Sequence, residues 1–193
     1  MKRVVILIFL ACLSLQLKAQ RTTQGIGVRL GVPTGVTYKK YLAGDRAVEF
    51  GLGSAGPGWH SAYYENSIRS FRKYDGKRYL SHDVHSTLYL QGRYLVHTNI
   101  EVQGMDGKLD WYWGIGGILK FAKVRYRFED DTPAGTYTDE RTDLDFGPEG
   151  IGGMEYTFED VPISIFAEVS LMLEFVDRVS LRPFSGTGVR YNF

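Results

Sequence analysis

Residues 163–175 set the pattern for the chain. Ile163, Ile165, Ala167, Val169, Leu171, Leu173 and Phe175 fall at every second position, with Ser164, Phe166, Glu168, Ser170, Met172 and Glu174 between them. Side chains alternate between the two faces of an extended strand, so one face here is unbrokenly apolar and the other mostly polar; a helix would mix the two sets. Strands of soluble proteins usually run about 5–6 residues, whereas crossing a bilayer at a tilt takes roughly 9–11. This segment has the second length.

The alternation recurs along the chain. Residues 25–32 set Ile26, Val28 and Leu30 against Gly27, Arg29 and Gly31; residues 35–42 set Val36 and Tyr38 against Thr37 and Lys39. Residues 46–55 set Val48, Phe50 and Leu52 against Glu49, Gly51 and Gly53, and residues 87–98 set Leu88, Leu90, Tyr94 and Val96 against Tyr89, Gln91, Arg93 and His97. Residues 109–128 begin with Trp111, Trp113, Ile115, Leu119 and Phe121 on one face, and the pattern shifts near Lys123, at a bulge or where the strand leaves the membrane. Residues 143–158 carry Pro148 and several glycines, with Met154, Tyr156 and Phe158 opposing Glu155 and Thr157. At the chain end Ser185, Thr187, Val189, Tyr191 and Phe193 share one face, and Gly186, Gly188, Arg190 and Asn192 the other.

These segments make eight strands. A sheet open to lipid leaves backbone groups unpaired at several kcal/mol each, so an even-numbered antiparallel set has to close. The expected fold is all-β, an eight-stranded antiparallel transmembrane barrel of up-and-down order. With both ends on one side, residues 43–45, 99–108 and 159–162 form inner turns. Residues 33–35, 56–86, 129–142 and 177–183 form outer loops. The tight first outer loop is the departure from the trend toward long outer loops.

The first residues read differently. Met1-Lys2-Arg3 is basic, Val4 to Leu15 is almost unbroken apolar sequence, and Leu17-Lys18-Ala19 ends on a small residue. Residues 1–19 read as a secretory signal peptide cleaved after Ala19, leaving residues 20–193 as one barrel domain; the apolar run is too short to span as a helix. Cys12 raises a lipoprotein alternative, which Phe9-Leu10-Ala11 fits poorly. The chain has 23 Lys plus Arg against 22 Asp plus Glu, a balance that gives no reason to expect nucleic acid as a partner.

Several stretches resemble small OmpA/OmpX-type outer-membrane barrel domains: residues 25–31, Gly-Ile-Gly-Val-Arg-Leu-Gly; Gly35 to Lys39; Trp111 to Gly117; Gly153 to Tyr156 with Asp160-Val161-Pro162; and Gly188 to Phe193. The resemblance covers residues 20–193 and implies that fold and an outer-membrane location, with lipid, and lipopolysaccharide as a candidate, for surroundings. It implies little about activity. Val189, Tyr191 and terminal Phe193 resemble the signal by which the barrel-assembly machinery recognises its clients.

The faces opposite the apolar ones carry Arg29, Lys39, Arg93, Lys120 and Arg190, with Glu49, Glu149, Glu155, Glu168 and Glu174. Eight strands enclose a space just wide enough for side chains to fill, and a lone ion there would be very costly. These residues are therefore expected to form an ion-pair network that plugs the lumen; a narrow conducting pathway through the same residues is the alternative.

Candidate chemistry is thin. His60, Ser61, His82, Asp83, His85 and Ser86 supply the residue types of a hydrolase or acyl transferase acting on lipid A, in or beside the second outer loop. His82 and His85 have a spacing seen in some metal sites but no Cys partner. No catalytic, metal or cofactor site is assigned. Arg69, Arg72, Lys73, Lys77 and Arg78 make the second outer loop basic, while Glu129, Asp130, Asp131, Asp139 and Glu140 make the third acidic. The two attract one another or offer a surface to lipopolysaccharide phosphates, a host protein or another envelope component. A soluble lipocalin-like barrel would use the same alternation with the apolar face turned inward.

Overall fold

The computed structural model describes residues 23–55, 72–131, 134–175 and 179–193. The expected signal peptide, His60, Ser61 and Arg69 lie outside them. Strands β1 (Gln24–Gly31), β2 (Thr34–Leu42), β3 (Arg46–Ser54), β4 (Arg78–Ile100), β5 (Lys108–Asp131), β6 (Ala134–Thr157), β7 (Ile163–Glu174) and β8 (Ser180–Asn192) follow in order. Each pairs antiparallel with its chain neighbours, and β1 pairs with β8, Gly25 facing Asn192, to close the barrel.

The wall is inside-out relative to a soluble protein. Ile26, Val28 and Leu30 of β1, Phe50 and Leu52 of β3, Trp113 and Ile115 of β5, and Val169 and Leu171 of β7 are exposed on the outer surface. The residues between them are buried and mostly polar or charged. A belt of this composition is stable in hydrocarbon, where apolar area meets tails and the closed ladder pairs the backbone of neighbouring strands. Near the chain ends the belt becomes aromatic, with Trp111, Tyr156, Phe158, Tyr191 and Phe193 at strand ends. Tyr156 meets Phe158 edge-on at 4.8 Å, and Tyr191 stacks on Phe193 at 6.3 Å. Such rings suit the polar–apolar boundary of a bilayer.

The first outer turn pairs as expected, Arg29 facing Gly35. Thr34 Oγ1 donates to the Gly31 carbonyl at 2.7 Å, and Gly31 takes a φ of 128°, which a side chain would strain.

Three boundaries differ from the sequence reading. The end of the second outer loop, from Arg78, and nearly all of the third are strand: β4, β5 and β6 run 23, 24 and 24 residues and rise together beyond the others as a three-stranded sheet. Strand β8 begins at Ser180, inside the expected fourth loop. The shift near Lys123 is not a bulge in β5, which pairs with β6 without a break; the register shifts lie on β4, between Tyr79 and Ser81 and between Val84 and Ser86.

What changes in β5 is the medium. Up to Phe121 the outward side chains are mostly apolar, and the inward ones include Asp110, Tyr112 and Lys120, with Ile118 the apolar exception. Beyond it Lys123, Arg125 and Arg127 point outward, while Ala122, Val124, Tyr126 and Phe128 point inward and pack with Tyr74, Tyr79 and Val84. The alternation keeps its phase and reverses its chemistry, as it must where a strand passes from lipid to water.

Candidate functional site: the ionic lumen

The inward charged residues meet in three tiers, the first two joined through Glu49. Nearest the chain ends, Lys39 Nζ donates to Glu155 Oε2 at 2.9 Å, and Arg190 NH1 pairs with the same oxygen. Tyr41 donates its hydroxyl to Glu155 Oε1. Arg190 NH2 donates to Glu49 Oε2 at 2.6 Å, and its guanidinium carbon lies 4.4 Å from the Phe166 ring centre. The carboxylate of Glu49 carries the network into the next tier.

Arg93 is the hub there. Its NH1 donates to Glu49 at 3.0 Å and to Glu168 at 2.9 Å, and its Nε and NH2 grip the two oxygens of Glu149 at 2.9 and 2.8 Å. Bidentate pairing of this kind fits the planar guanidinium and would not suit lysine. Arg29 lies 3.1 Å from Glu168 and donates to Gln91 at 2.9 Å, while Tyr112 donates to Glu168 at 2.9 Å. Gly186 of β8 leaves the room that the Arg29 side chain fills; an added methyl group would run into it.

In the upper tier Asp145 pairs with Lys120 and accepts from Arg182 at 2.9 Å, and Arg182 also pairs with Glu174. Between this tier and that of Arg93, Tyr89, Ile118, Met172 and Phe184 form an apolar cluster, Tyr89 meeting Phe184 edge-on at 6.0 Å.

The structure thus brings together every charge named from sequence: Arg29, Lys39, Glu49, Arg93, Lys120, Glu149, Glu155, Glu168, Glu174 and Arg190, all buried. Sequence reasoning left out Asp145 and Arg182. Asp145 shares the face of Glu149 and Glu155 inside the segment read as residues 143–158, so alternation alone marks it, and Arg182 shares that of Arg190 and needed only a longer β8. Tyr41 and Tyr112 were also missed, because an inward tyrosine carries no charge to mark it.

Among the described candidates, His82 and Asp83 are not brought together. His82 turns inward, with Nδ1 2.7 Å from the Tyr79 hydroxyl and its ring 6.3 Å from that of Tyr126. Asp83 points outward, 3.5 Å from Arg127, and His85 is exposed at a register shift. His82 and Asp83 therefore lie on opposite faces of β4. Among the described residues no group of three or more His, Cys, Asp and Glu is placed to hold a metal ion.

Opposite charges on the extension pair with one another: Lys73 with Asp139 at 2.6 Å, Lys77 with Asp130 at 3.0 Å, and Arg78 with Glu129. Hydrogen bonds from Lys73 and from the Tyr74 hydroxyl hold the Asp139 carboxyl below its usual value of 3.8. Burial, reinforced by that acidic acceptor, pushes the Tyr74 hydroxyl up. At the opposite end of the barrel a vestibule of about 710 Å³ opens, with Tyr41, His97, Lys108, Asp110, Glu155 and Asn192 among its walls.

No family model and no curated protein matches the sequence. Solved structures similar to this chain include the N-terminal β-barrel domain of OprF from Pseudomonas aeruginosa, at a TM-score of 0.51 and 12% identity over 89% of this chain and 98% of that one. Neisserial surface protein A superposes at a TM-score of 0.44 and 13% identity, over 88% of this chain and 93% of that one. The likeness to the OprF barrel is one of fold.

Proposed function

We propose that this chain is an outer-membrane barrel whose lumen is plugged by its own ion pairs, and whose role is structural or lies in surface interaction. The observation that carries the reading is the division of the wall: apolar residues cover the outside while Arg93 and its carboxylate partners cross the inside. Breaking the ion pairs one by one would leave buried charge unpaired, so the plug is held by mutual need. Lipid surrounds the belt, and Val189, Tyr191 and Phe193, all on the outer face of β8, serve the barrel-assembly machinery as the recognition strand. The ion-paired β4–β6 extension stands beyond the belt, where lipopolysaccharide or another envelope component would meet it. A catalytic role finds no support in the separated His82 and Asp83.

The plug is tested by recording from the purified chain, without its first 19 residues, in a planar bilayer. Absence of discrete conductance steps at moderate voltage is the expected result. A stable unitary conductance that changes with Arg93→Gln would replace the plug with a pore through the same residues.

A further inference from the structure

His97 stands apart from the network. It is 5% exposed, and neither ring nitrogen has a hydrogen-bond partner among the described residues. Its ring is clamped, stacked on Tyr112 at 5.1 Å and met edge-on by Tyr41 at 5.9 Å. A buried imidazole with both nitrogens unused is costly unless something takes them up. The open space it faces is the vestibule at the chain-end mouth, which it shares with Asp110.

Nδ1 of His97 lies 3.8 Å from Oδ2 of Asp110, itself 4% exposed. That gap is too long for a hydrogen bond. It is close to the spacing of two ligands on one ion: nitrogen and oxygen each about 2.0–2.2 Å from a tetrahedral metal are roughly 3.4 Å apart. We propose that His97 and Asp110 form a binding site for a divalent transition-metal ion entering from the vestibule, its remaining positions filled by water.

The surrounding charges define how the site works. Lys39 near the ring is paired with Glu155 at 2.9 Å. Lys108 Nζ lies 2.8 Å from the same Asp110 oxygen the ion would use, and its side chain is 52% exposed. The ammonium therefore acts as a displaceable stand-in for the cation: in the ion's absence it neutralises Asp110, and it swings to solvent when a metal binds. Asn99 Nδ2 lies 3.4 Å from the other Asp110 oxygen, within reach of a weak hydrogen bond that would orient the carboxylate. Imidazole with carboxylate suits copper, zinc and nickel, and copper(II) binds most tightly of these. With two protein ligands the site exchanges its ion readily, as suits a surface open to solvent rather than a structural core.

The test uses residues 20–193, free of any affinity tag, folded in detergent micelles and titrated with copper(II) chloride by calorimetry. Electron paramagnetic resonance reports the ligands. One saturable ion with a single imidazole nitrogen is expected. His97→Gln and Asp110→Asn each weaken it at least about tenfold, while His82→Gln with His85→Gln does not. Lys108→Ala tightens binding severalfold, an effect that a merely structural histidine would not produce. Heat-modified migration on gels confirms that each variant is folded. A folded chain with no saturable copper, copper retained by His97→Gln, or an affinity unmoved by Lys108→Ala would each overturn the site.

Discussion

At the scale of single residues the molecule turns on buried charges that are balanced by one another. Arg93 touches Glu49, Glu149 and Glu168 with all four side chains buried, so its removal leaves carboxylates with too little positive charge among them. Arg93→Ala is expected to cost roughly 3–5 kcal/mol, the usual penalty for orphaning one side of a buried pair. Urea-driven unfolding in lipid vesicles measures it, and a loss under about 1 kcal/mol would mean the lumen is wet enough to screen these charges. Asp139 behaves in the opposite setting, near solvent. Its carboxyl is held below the usual 3.8 by Lys73 and Tyr74. A depressed value contributes stability that is full above 3.8 and is lost as pH falls through the lowered one. Hydrogen exchange in the upper part of β6 should therefore accelerate at low pH, and Lys73→Ala should shift the onset to higher pH. An onset that ignores Lys73 would show that the pair does not hold the hairpin.

At the scale of elements, β5 carries the clearest information. One strand passes through two solvents with its alternation intact, and the inversion between Phe121 and Lys123 marks the boundary. Single-cysteine variants in the chain lacking residues 1–19, which hold its only cysteine, locate that boundary. Phe121→Cys should resist a water-soluble thiol reagent in vesicles while Lys123→Cys and Arg125→Cys react, and equal reaction at all three would move the boundary below Phe121. Element scale is also where the sequence was hardest to read. The belt portions of β1, β3 and β7 were legible because an apolar residue at every second position has a single meaning over that length. The upper parts of β4 and β6 were not, since a stretch such as Thr136-Tyr137-Thr138-Asp139-Glu140-Arg141 has no apolar face and owes its extended form to pairing with β5. Strand β8 runs back through residues 180–183 of the expected fourth outer loop. Pro183 sits on the outer face opposite Leu171, and Arg182 beside it points into the lumen.

At the scale of the whole molecule, two halves of each strand answer two demands. Closure removes unpaired backbone from the wall, which fixes the even strand count and the return of β8 to β1. A barrel of this girth has little interior, so the polar half of every strand must fill it with side chains that satisfy one another. The ten charges named from sequence meet because both rules act at once, whereas the histidine and serine types singled out for chemistry had no such rule behind them. The central claim is the direction each half looks. A photoactivatable probe confined to the acyl chains of reconstituted vesicles, with labelled positions mapped by mass spectrometry, tests it most directly. Modification of Val169 and Leu171 with none at Glu168 or Ser170 is the predicted result; labelling of Glu168 in preference to its neighbours would turn the wall around and contradict the account.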